Sequence, residues 1–362
     1  MNQINKEERS DAFDHLIYMR VYEGCNLHCK HCFIPANPKK MDISQVLEVK
    51  ESVEKFAEPG QTLLFQWHGG EPTARGVRFF KEALSIINEL SDKYIIKHSM
   101  QTNLINYNEA WRDIFIKYFN GNIGVSWDAK IRMMKKDKPE SNTEYEKVFF
   151  ANLKQLIKDG IEPCLVVTAT KVLFETLSSP SEFFEFFISK GLKEIHVEKL
   201  TKTGNAVDNW GELGLNHLEY AERMSKLLKY YVKIKNSDVD FHASPFDGFL
   251  ESVGTLGTTA PKGYGCNSGK CDTAFHTIDA TGYKAGCTAL TTNEQFSSEA
   301  QVNFKGIVLR RKTKVQDCLS CEFKPICNSG CATEDTFDGS GGCNGGYLIY
   351  KAAQRIVDRR II

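Results

Sequence analysis

The cysteines are the feature that most constrains what this chain can fold into. Twelve occur in 362 residues: three at positions 25, 29 and 32, one at 164, and eight between 266 and 343. The N-terminus lacks the basic and then apolar layout of a signal peptide. In a reducing compartment, thiols serve metal binding or catalysis more often than disulfides. We therefore predict a cytoplasmic protein with two metal-bearing regions on either side of a nearly cysteine-free body.

Charge and hydropathy argue against two classes of protein. Lys and Arg together number 46, as do Asp and Glu, so the formal net charge is zero. Nucleic-acid-binding proteins are usually strongly basic, and we expect no nucleic-acid partner. No apolar run approaches the roughly 18 residues that cross a bilayer, so we expect no membrane association.

The central part of the chain alternates short β-rich runs with longer stretches of helical periodicity, which predicts a parallel sheet. The fold class is α/β, and six units favour a partial (β/α)6 TIM-like barrel over a closed eight-stranded one. We expect the barrel over residues 1–235, a cysteine-rich extension over 236–345 and a C-terminal helix over 346–362. The predicted strands are 15–22, 62–67, 94–100, 123–127, 164–168 and 194–199. The predicted helices are 46–56, 77–90, 111–119, 148–157, 180–190 and 217–235.

The first cysteine cluster, Cys25, Cys29 and Cys32, directly follows the first predicted strand. Three thiolates can bind three irons of a [4Fe–4S] cluster and leave the fourth iron open to a chelating substrate. Structural zinc is the alternative, because His28 or His31 could add the fourth ligand that zinc usually requires.

This CxxxCxxC run, with aromatic Phe33 directly after it, resembles the signature of radical S-adenosylmethionine (SAM) enzymes. The resemblance implies that SAM binds the open iron and is cleaved by one electron to a 5′-deoxyadenosyl radical, which abstracts a substrate hydrogen. Such chemistry belongs to the cofactor, which the protein positions. Phe33 would contact the adenine through its backbone.

A second motif follows the second predicted strand, where Gly69, Gly70, Glu71 and Pro72 resemble the family's GGEP motif. Two glycines allow a close backbone approach to a ligand. By the resemblance, Glu71 would accept hydrogen bonds from the amino group of SAM.

Polar residues after the third and fourth predicted strands complete the expected SAM site. By the resemblance, Asn103, Ser126 and Asp128 would lie around the ribose and carboxylate of SAM. Family members often have glycine after such an aspartate, whereas this chain has Ala129. A basic partner for the SAM carboxylate is also expected, and both Arg132 and Lys147 are candidates.

The C-terminal cysteines have a spacing that resembles the SPASM extension of radical SAM enzymes. The resemblance implies two auxiliary [4Fe–4S] clusters and a hairpin near Gly282, between two ligands. Two four-cysteine zinc sites are the alternative. Auxiliary cluster I would be bound by Cys266, Cys271, Cys287 and Cys331, and auxiliary cluster II by Cys318, Cys321, Cys327 and Cys343. Cys164, in an apolar run, is expected to be a buried core thiol.

The resemblance to peptide maturases and to anaerobic sulfatase-maturating enzymes implies that the substrate radical passes an electron to an auxiliary cluster. We expect a radical SAM oxidoreductase that modifies a ribosomally made peptide, by a crosslink or a similar bond. Dehydrogenation of a small-molecule alcohol and formylglycine formation in a sulfatase are alternatives. Sulfatase maturases carry an acidic residue directly after the third ligand of auxiliary cluster I, where this chain has Thr288. An iron–sulfur electron carrier without turnover is the alternative from another class.

The expected partners are a peptide or protein substrate and a reducing protein, either flavodoxin or ferredoxin. Only 24 residues precede Cys25, so we expect no leader-peptide-binding domain fused there. A separate leader-peptide-binding protein and a precursor that docks directly on the barrel are the two alternatives. Asp247 is the first acid–base residue to test. Other candidates are Glu198, Lys199, His242, Asp272 and His276.

Overall fold

The computed structural model describes residues 13–34, 39–292 and 303–359. Nine strands of this part of the chain form one sheet. In space they follow the order β9-β8-β1-β2-β3-β4-β5-β6-β7. Their bounds are β1 His15–Tyr22, β2 Thr62–Gly69, β3 Ile95–Thr102, β4 Ile123–Ser126, β5 Cys164–Ala169, β6 Glu194–Lys199, β7 His242–Ser244, β8 Phe275–Asp279 and β9 Gly282–Ala285.

Strand pairing confirms the predicted α/β class with a mostly parallel sheet. Within this sheet, the pairs from β8 through β1 to β7 are all parallel, and β8 and β9 pair antiparallel. A separate two-residue pairing of His28–Cys29 with Arg132–Met133 is also antiparallel. The six predicted strands all form, each within two residues of its predicted ends. A parallel order β1 to β6 directs the carboxyl ends of these strands to one edge, where parallel barrels carry their sites.

Helices cover the outer face of the sheet. Several begin earlier than their apolar periodicity predicts, because polar first turns carry the start signal. Asp42, for example, closes a capping box with Gln45 and starts the first helix before residue 46. The helices are α1 Ile43–Val53, α2 Val77–Asn88, α3 Glu109–Phe119, α4 Ser141–Lys158, α5 Lys171–Thr176, α6 Pro180–Ile188, α7 Trp210–Leu213, α8 His217–Lys235, α9 Phe246–Gly254, α10 Thr288–Thr291, α11 Lys305–Gln316, α12 Lys324–Cys327 and α13 Tyr347–Asp358.

Alternation along the strands separates a packed outer layer from a polar interior. In β2, Phe65 and Trp67 are fully buried toward the helices, and Trp67 contacts Phe80 of α2 with ring centroids 5.2 Å apart. Gln66 and His68 point the other way because side chains of a strand alternate between its faces. The barrel interior is therefore lined by polar side chains that are available to a site.

The C-terminal extension joins the barrel sheet. The predicted hairpin near Gly282 forms as β8 and β9, and β8 lies parallel beside β1. Helix α13 packs against α8 and α9, with the rings of Phe249 and Tyr350 4.8 Å apart. The domain boundary at residue 235 stays a prediction, since the sheet itself continues across it. Within the described residues, no helix combines the length and apolar character of a membrane span.

Candidate functional site

The three cysteines of the first cluster lie in a loop at the carboxyl edge of the sheet, directly after β1. Cys29 is buried, Cys25 is exposed, and Cys32 is intermediate. Their thiols interact electrostatically with one another. Burial raises the pKa of Cys29 and of Cys32. Because only thiolates bind iron, cluster loading at this loop must release protons.

The two glycines after β2 allow this turn to touch the cysteine loop. A Cβ atom on Gly69 would lie 2.2 Å from the carbonyl oxygen of Tyr22, and one on Gly70 would lie 2.3 Å from that of Gly24. The amide of Gly70 donates to the Tyr22 oxygen at 2.8 Å, and the amide of Glu71 donates to the Gly24 oxygen at 3.0 Å. The close approach expected toward a ligand is thus made first to the chain itself, and contact with SAM stays a prediction.

Glu71 is fully buried and ties the ends of β2 and β3 together. Its Oε1 accepts hydrogen bonds from the hydroxyls of Thr73 and Thr102 at 2.6 and 2.8 Å, and its Oε2 accepts one from the amide of Asn103 at 2.7 Å. Burial raises the pKa of Glu71, while these hydrogen bonds oppose the rise. The carboxylate therefore organises the turn, and its predicted bond to the SAM amino group remains a prediction.

Asn103 and Ser126 lie at the ends of β3 and β4, as expected. The Nδ2 atom of Asn103 donates to Oδ1 of Asn26 at 2.6 Å and points to the sulfur of Cys25 at 3.7 Å. The hydroxyl of Ser126 accepts a hydrogen bond from Gln101 at 2.6 Å. Asn103 thus borders the cysteine loop directly, whereas Ser126 is connected to the barrel interior.

A buried charge network connects Asp128 to the cysteine loop. Its Oδ2 atom lies 2.7 Å from Arg132 and 3.2 Å from His31, and its Oδ1 atom accepts a hydrogen bond from the Thr168 amide at 2.6 Å. Burial alone would raise the pKa of Asp128, but the charge of Arg132 and the contact with His31 lower it to about 2. Arg132 in turn points to the sulfur of Cys29 at 3.9 Å.

This network separates the two basic candidates, because Arg132 points to the sulfur of Cys29, whereas Lys147 is exposed on α4. Sequence reasoning considered His31 only as a zinc ligand and missed its contact with Asp128. The position of His31 between Cys29 and Cys32 was the sequence feature that pointed to a role at this site.

The segment after β6 holds the cysteine loop from the other side, and sequence reasoning missed it. The amide of Asn205 donates to the carbonyl of Cys32 at 2.9 Å, and its side chain donates to the carbonyl of Cys29 at 3.0 Å. A Cβ atom on Gly204 would lie 2.4 Å from the Cys32 oxygen. The only signal in the sequence is a Gly-Asn pair in the loop after the sixth strand, which is also common in ordinary turns.

The first group of four extension cysteines lies together beside β1. Cys266 hydrogen-bonds to Cys331, which lowers the pKa of Cys331. The thiol of Cys271 interacts electrostatically with Cys287 and Cys331, and Cys287 with Cys331. Although far apart in sequence, these are the four thiols predicted to bind auxiliary cluster I.

The second group lines a small cavity at the start of α13. Its cysteines are Cys318, Cys321, Cys327 and Cys343. The amide of Tyr347 donates to the sulfur of Cys343 at 3.3 Å. Among the described residues, no three His, Cys, Asp or Glu side chains converge as a single metal ion requires. The sulfurs of a [4Fe–4S] cluster bind different irons and need no such convergence. The donors suit clusters, and the ligand assignments stay predictions.

Gly345 provides space in this second group, because a Cβ atom there would lie 2.2 Å from the sulfur of Cys327. We expect Gly345→Ala to displace that sulfur and to lower the iron content by about one third, one cluster of three. Iron analysis after anaerobic reconstitution measures the loss. Gly254→Ala is the matched control, since nothing lies within 4 Å of its Cβ position. Equal iron in both variants would contradict the assignment of this group.

Cys164 corrects one prediction, because it is not a core thiol. It is only partly buried and lines a cavity of about 490 Å³ inside the barrel. In β5, Leu165, Val167 and Ala169 are the residues that pack into the core. An apolar run hides the alternation that places Cys164 and Val166 on the interior face.

Asp247 lies near the amino ends of β6 and β7, at the edge of the barrel opposite the cysteine loop. The hydroxyl of Tyr231 donates to its Oδ2 at 2.6 Å, and Lys235 donates to its Oδ1 at 2.5 Å. His242 lies 3.9 Å from it. Asp247 lines the interior cavity, and its catalytic role stays a prediction.

The other acid–base candidates differ in their surroundings. His276 is fully buried against Phe56, and burial lowers its pKa to about 3. Asp272 pairs with Arg311 at 2.6 Å, and Lys199 pairs with Glu334 at 2.5 Å. Glu198, at the carboxyl end of β6, is half exposed and interacts electrostatically with Cys266 and Cys287. Of these candidates, Glu198 is the exposed carboxylate beside the first group of extension cysteines.

Comparison with known proteins adds to this geometry. Residues 19–187 match the family described as the radical SAM superfamily. The chain is 26% identical over 330 residues to the cysteine-type anaerobic sulfatase-maturating enzyme of Clostridium novyi (strain NT), covering 85% of each chain. It is 21% identical over 363 residues to the serine-type anaerobic sulfatase-maturating enzyme of Klebsiella aerogenes, covering 95% of this chain and 86% of that relative.

Two solved structures share the fold over most of the chain. Native anSMEcpe with bound AdoMet and Kp18Cys peptide has a TM-score of 0.70 and 19% identity, covering 96% of this chain and 97% of that chain. Streptococcus suis SuiB bound to precursor peptide SuiA has a TM-score of 0.57 and 16% identity, covering 90% of this chain and 73% of that chain. Both of those structures hold a peptide, and the first also holds AdoMet.

Proposed function

We propose that this enzyme, in which residues 19–187 match the radical SAM superfamily, oxidises a side chain within a peptide or protein. SAM and the cluster at Cys25, Cys29 and Cys32 would supply hydrogen abstraction, and the auxiliary clusters would accept an electron. The relatives support a polypeptide substrate, since two of the solved structures hold peptides.

One observation carries the proposal: a row of interior rings joins the cysteine loop to the first group of extension cysteines. Phe33 lies 6.0 Å from His68, and His68 lies 6.3 Å from Tyr18 between ring centroids. Tyr18 in turn interacts electrostatically with Cys266, Cys271 and Cys287. A substrate side chain in this interior could meet both hydrogen abstraction and the electron acceptor.

Oxidation also requires a group that takes the proton, and Glu198 fits this role. Its carboxylate lies beside Cys266 and Cys287 and hydrogen-bonds to His196 at 2.9 Å. The substrate radical loses one electron to the cluster and one proton to the base. Thr288, directly after Cys287, has only a buried hydroxyl, which is not a base at neutral pH.

We expect Glu198→Gln to slow product formation about 100-fold, as loss of a general base typically does. Cleavage of SAM to 5′-deoxyadenosine and the iron content should persist, because Glu198 binds neither. Mass spectrometry of the peptide product and chromatography of the nucleoside measure the two outcomes. Glu194→Gln, four residues earlier on the same strand, is the matched control. Equal product from both variants would remove Glu198 from the mechanism.

Formylglycine formation in a sulfatase is the second candidate function, and the two sulfatase-maturating relatives favour it. Thr288 at the position where those enzymes carry an acid disfavours it. The two candidate functions are distinguished by incubating reconstituted enzyme, SAM and dithionite with two kinds of substrate. One kind is sulfatase peptides that contain Cys or Ser, and the other is short peptides encoded beside the gene. An aldehyde captured by a hydrazide probe identifies formylglycine, whereas a crosslink loses hydrogen without forming an aldehyde. If no 5′-deoxyadenosine forms while the clusters are present, the proposed function fails.

A further inference from the structure

Helix α11 directs two buried cations toward the first group of extension cysteines. Arg311 is 6% exposed and Lys314 is 4% exposed. They lie three residues apart and so share one face of the helix. A buried cation is costly unless anions or hydrogen-bond acceptors meet it, so the contacts of these two side chains indicate what they serve.

Arg311 reaches a predicted cluster ligand directly. Its Nη2 atom donates to the sulfur of Cys271 at 3.1 Å. Its Nη1 atom donates to the carbonyl of Gly330 at 2.8 Å and to that of Asn328. Asp272 pairs with its Nε atom at 2.6 Å. The guanidinium thus connects two segments that carry predicted ligands: it contacts Cys271 and Asp272 in one segment, and Gly330, the residue before Cys331, in the other.

Lys314 reaches a second ligand of the same group. Its Nζ atom donates to the carbonyl of Cys331 and interacts electrostatically with the thiol of that residue and with Glu334. Among the described residues, no carboxylate lies within ion-pair distance of Lys314. Arg311 and Lys314 therefore bring positive charge to two different ligands of one predicted cluster.

The second group of cysteines has a different environment. Its cavity is bordered by the rings of Phe323, Tyr347 and Tyr350 and by the partly exposed Lys324, and the sulfur of Cys343 accepts a backbone amide. The charge of Lys314 changes the pKa of the Cys318 thiol less than burial, Cys321, Cys343 or Asp317 does. The first group therefore has two buried cations beside it, whereas the cavity of the second group has one partly exposed cation. A buried charge acts through a lower dielectric than an exposed one, so the first group experiences the stronger positive field.

We propose that Arg311 and Lys314 are positioning residues that make auxiliary cluster I the better electron acceptor of the two auxiliary clusters. A four-thiolate cluster gains one negative charge when it takes an electron, and nearby cations and N–H···S bonds favour the reduced form. The electron comes from the substrate being oxidised. This inference rests on the proposed function, because it requires a cluster at Cys266, Cys271, Cys287 and Cys331.

The test measures reduction potentials in a background without the SAM-binding cluster. In the triple variant Cys25→Ala, Cys29→Ala, Cys32→Ala, the remaining redox signals belong to the auxiliary clusters. The signal that disappears when Cys266→Ala is added identifies cluster I. We expect Lys314→Met to make reduction of cluster I about tenfold less favourable, or about 59 mV more negative for one electron. Arg311→Gln should shift it in the same direction, while Lys314→Arg keeps the charge and the potential. Exposed Lys312 on the same helix provides the control, Lys312→Met.

The outcomes separate this inference from the proposed function. A cluster I signal whose potential stays unchanged in both Lys314→Met and Arg311→Gln overturns the inference alone, as does an equal shift in Lys312→Met. A background variant that holds no auxiliary iron overturns the inference together with the proposed function. If Lys314→Met does not retain cluster I, Arg311→Gln decides the test, and an unchanged potential in that variant then overturns the inference alone.

Discussion

Replacing Cys29 with alanine is expected to abolish formation of 5′-deoxyadenosine and to lower the iron content by about one third, one cluster of three. Cys29 is the buried cysteine of its loop and lies beside Arg132. Two remaining thiolates cannot hold three irons, so the open iron that would bind SAM is lost. Iron analysis and chromatography after anaerobic reconstitution measure the two losses.

Cys164→Ala is the matched control for this experiment. Cys164 lines the interior cavity on β5 and belongs to neither the loop nor the two extension groups. Its variant should retain the iron of the parent protein. Undiminished SAM cleavage in Cys29→Ala, or zinc in place of iron in the parent, would show that the loop does not bind a SAM-cleaving cluster.

Asp128→Asn is expected to destabilise the fold by about 3–5 kcal/mol, the usual cost of leaving one partner of a buried ion pair unpaired. The Asp128 side chain is 2% exposed and lies 2.7 Å from Arg132, which is 12% exposed. Asparagine keeps the size of the side chain but removes the charge that compensates Arg132. Urea unfolding of the reconstituted protein measures the change in the free energy of unfolding. We also expect less iron at the first loop, because His31 loses its partner.

An exposed ion pair provides the comparison. Glu54 and Lys93 pair at 2.5 Å with both side chains more than half exposed, and solvent screens such pairs so that they contribute little to stability. Glu54→Ala should therefore have a small effect and full iron content. If Asp128→Asn unfolds at the same urea concentration as Glu54→Ala, the buried network does not stabilise the site.

The predictions from sequence were most accurate where the determinants are local. All six barrel strands form close to their predicted ends, because runs of β-branched and aromatic residues between turns mark them. Helix α4 shows the limit: it begins at Ser141, seven residues before its predicted start, since its first turns lack an apolar stripe. The apolar run around Cys164 was wrongly assigned to the core for a related reason, because a run without polar residues does not show which face of a strand points inward.

The candidate site combines both kinds of information. The resemblance to SPASM enzymes implied two groups of four extension thiols, and the structure brings the members of each group near one another, although what they bind stays a prediction. The contacts of His31 with Asp128, of Asn205 with Cys29 and of Arg311 with Cys271 could not be predicted. Each of these contacts joins residues that are 40 to 176 positions apart in the sequence.

By itself, the sequence determined the α/β class, the order of the six barrel strands and the presence of cysteine groups with cluster-like spacing. These depend on periodicity and spacing within short segments. Only the tertiary structure decided that the extension adds β8 to the barrel beside β1, that Glu71 binds its own turn, and that two cations are buried against the first extension group. The physical reason is that a buried charge or carboxylate is satisfied by whichever partner the packing brings to it, and packing is a property of the whole chain.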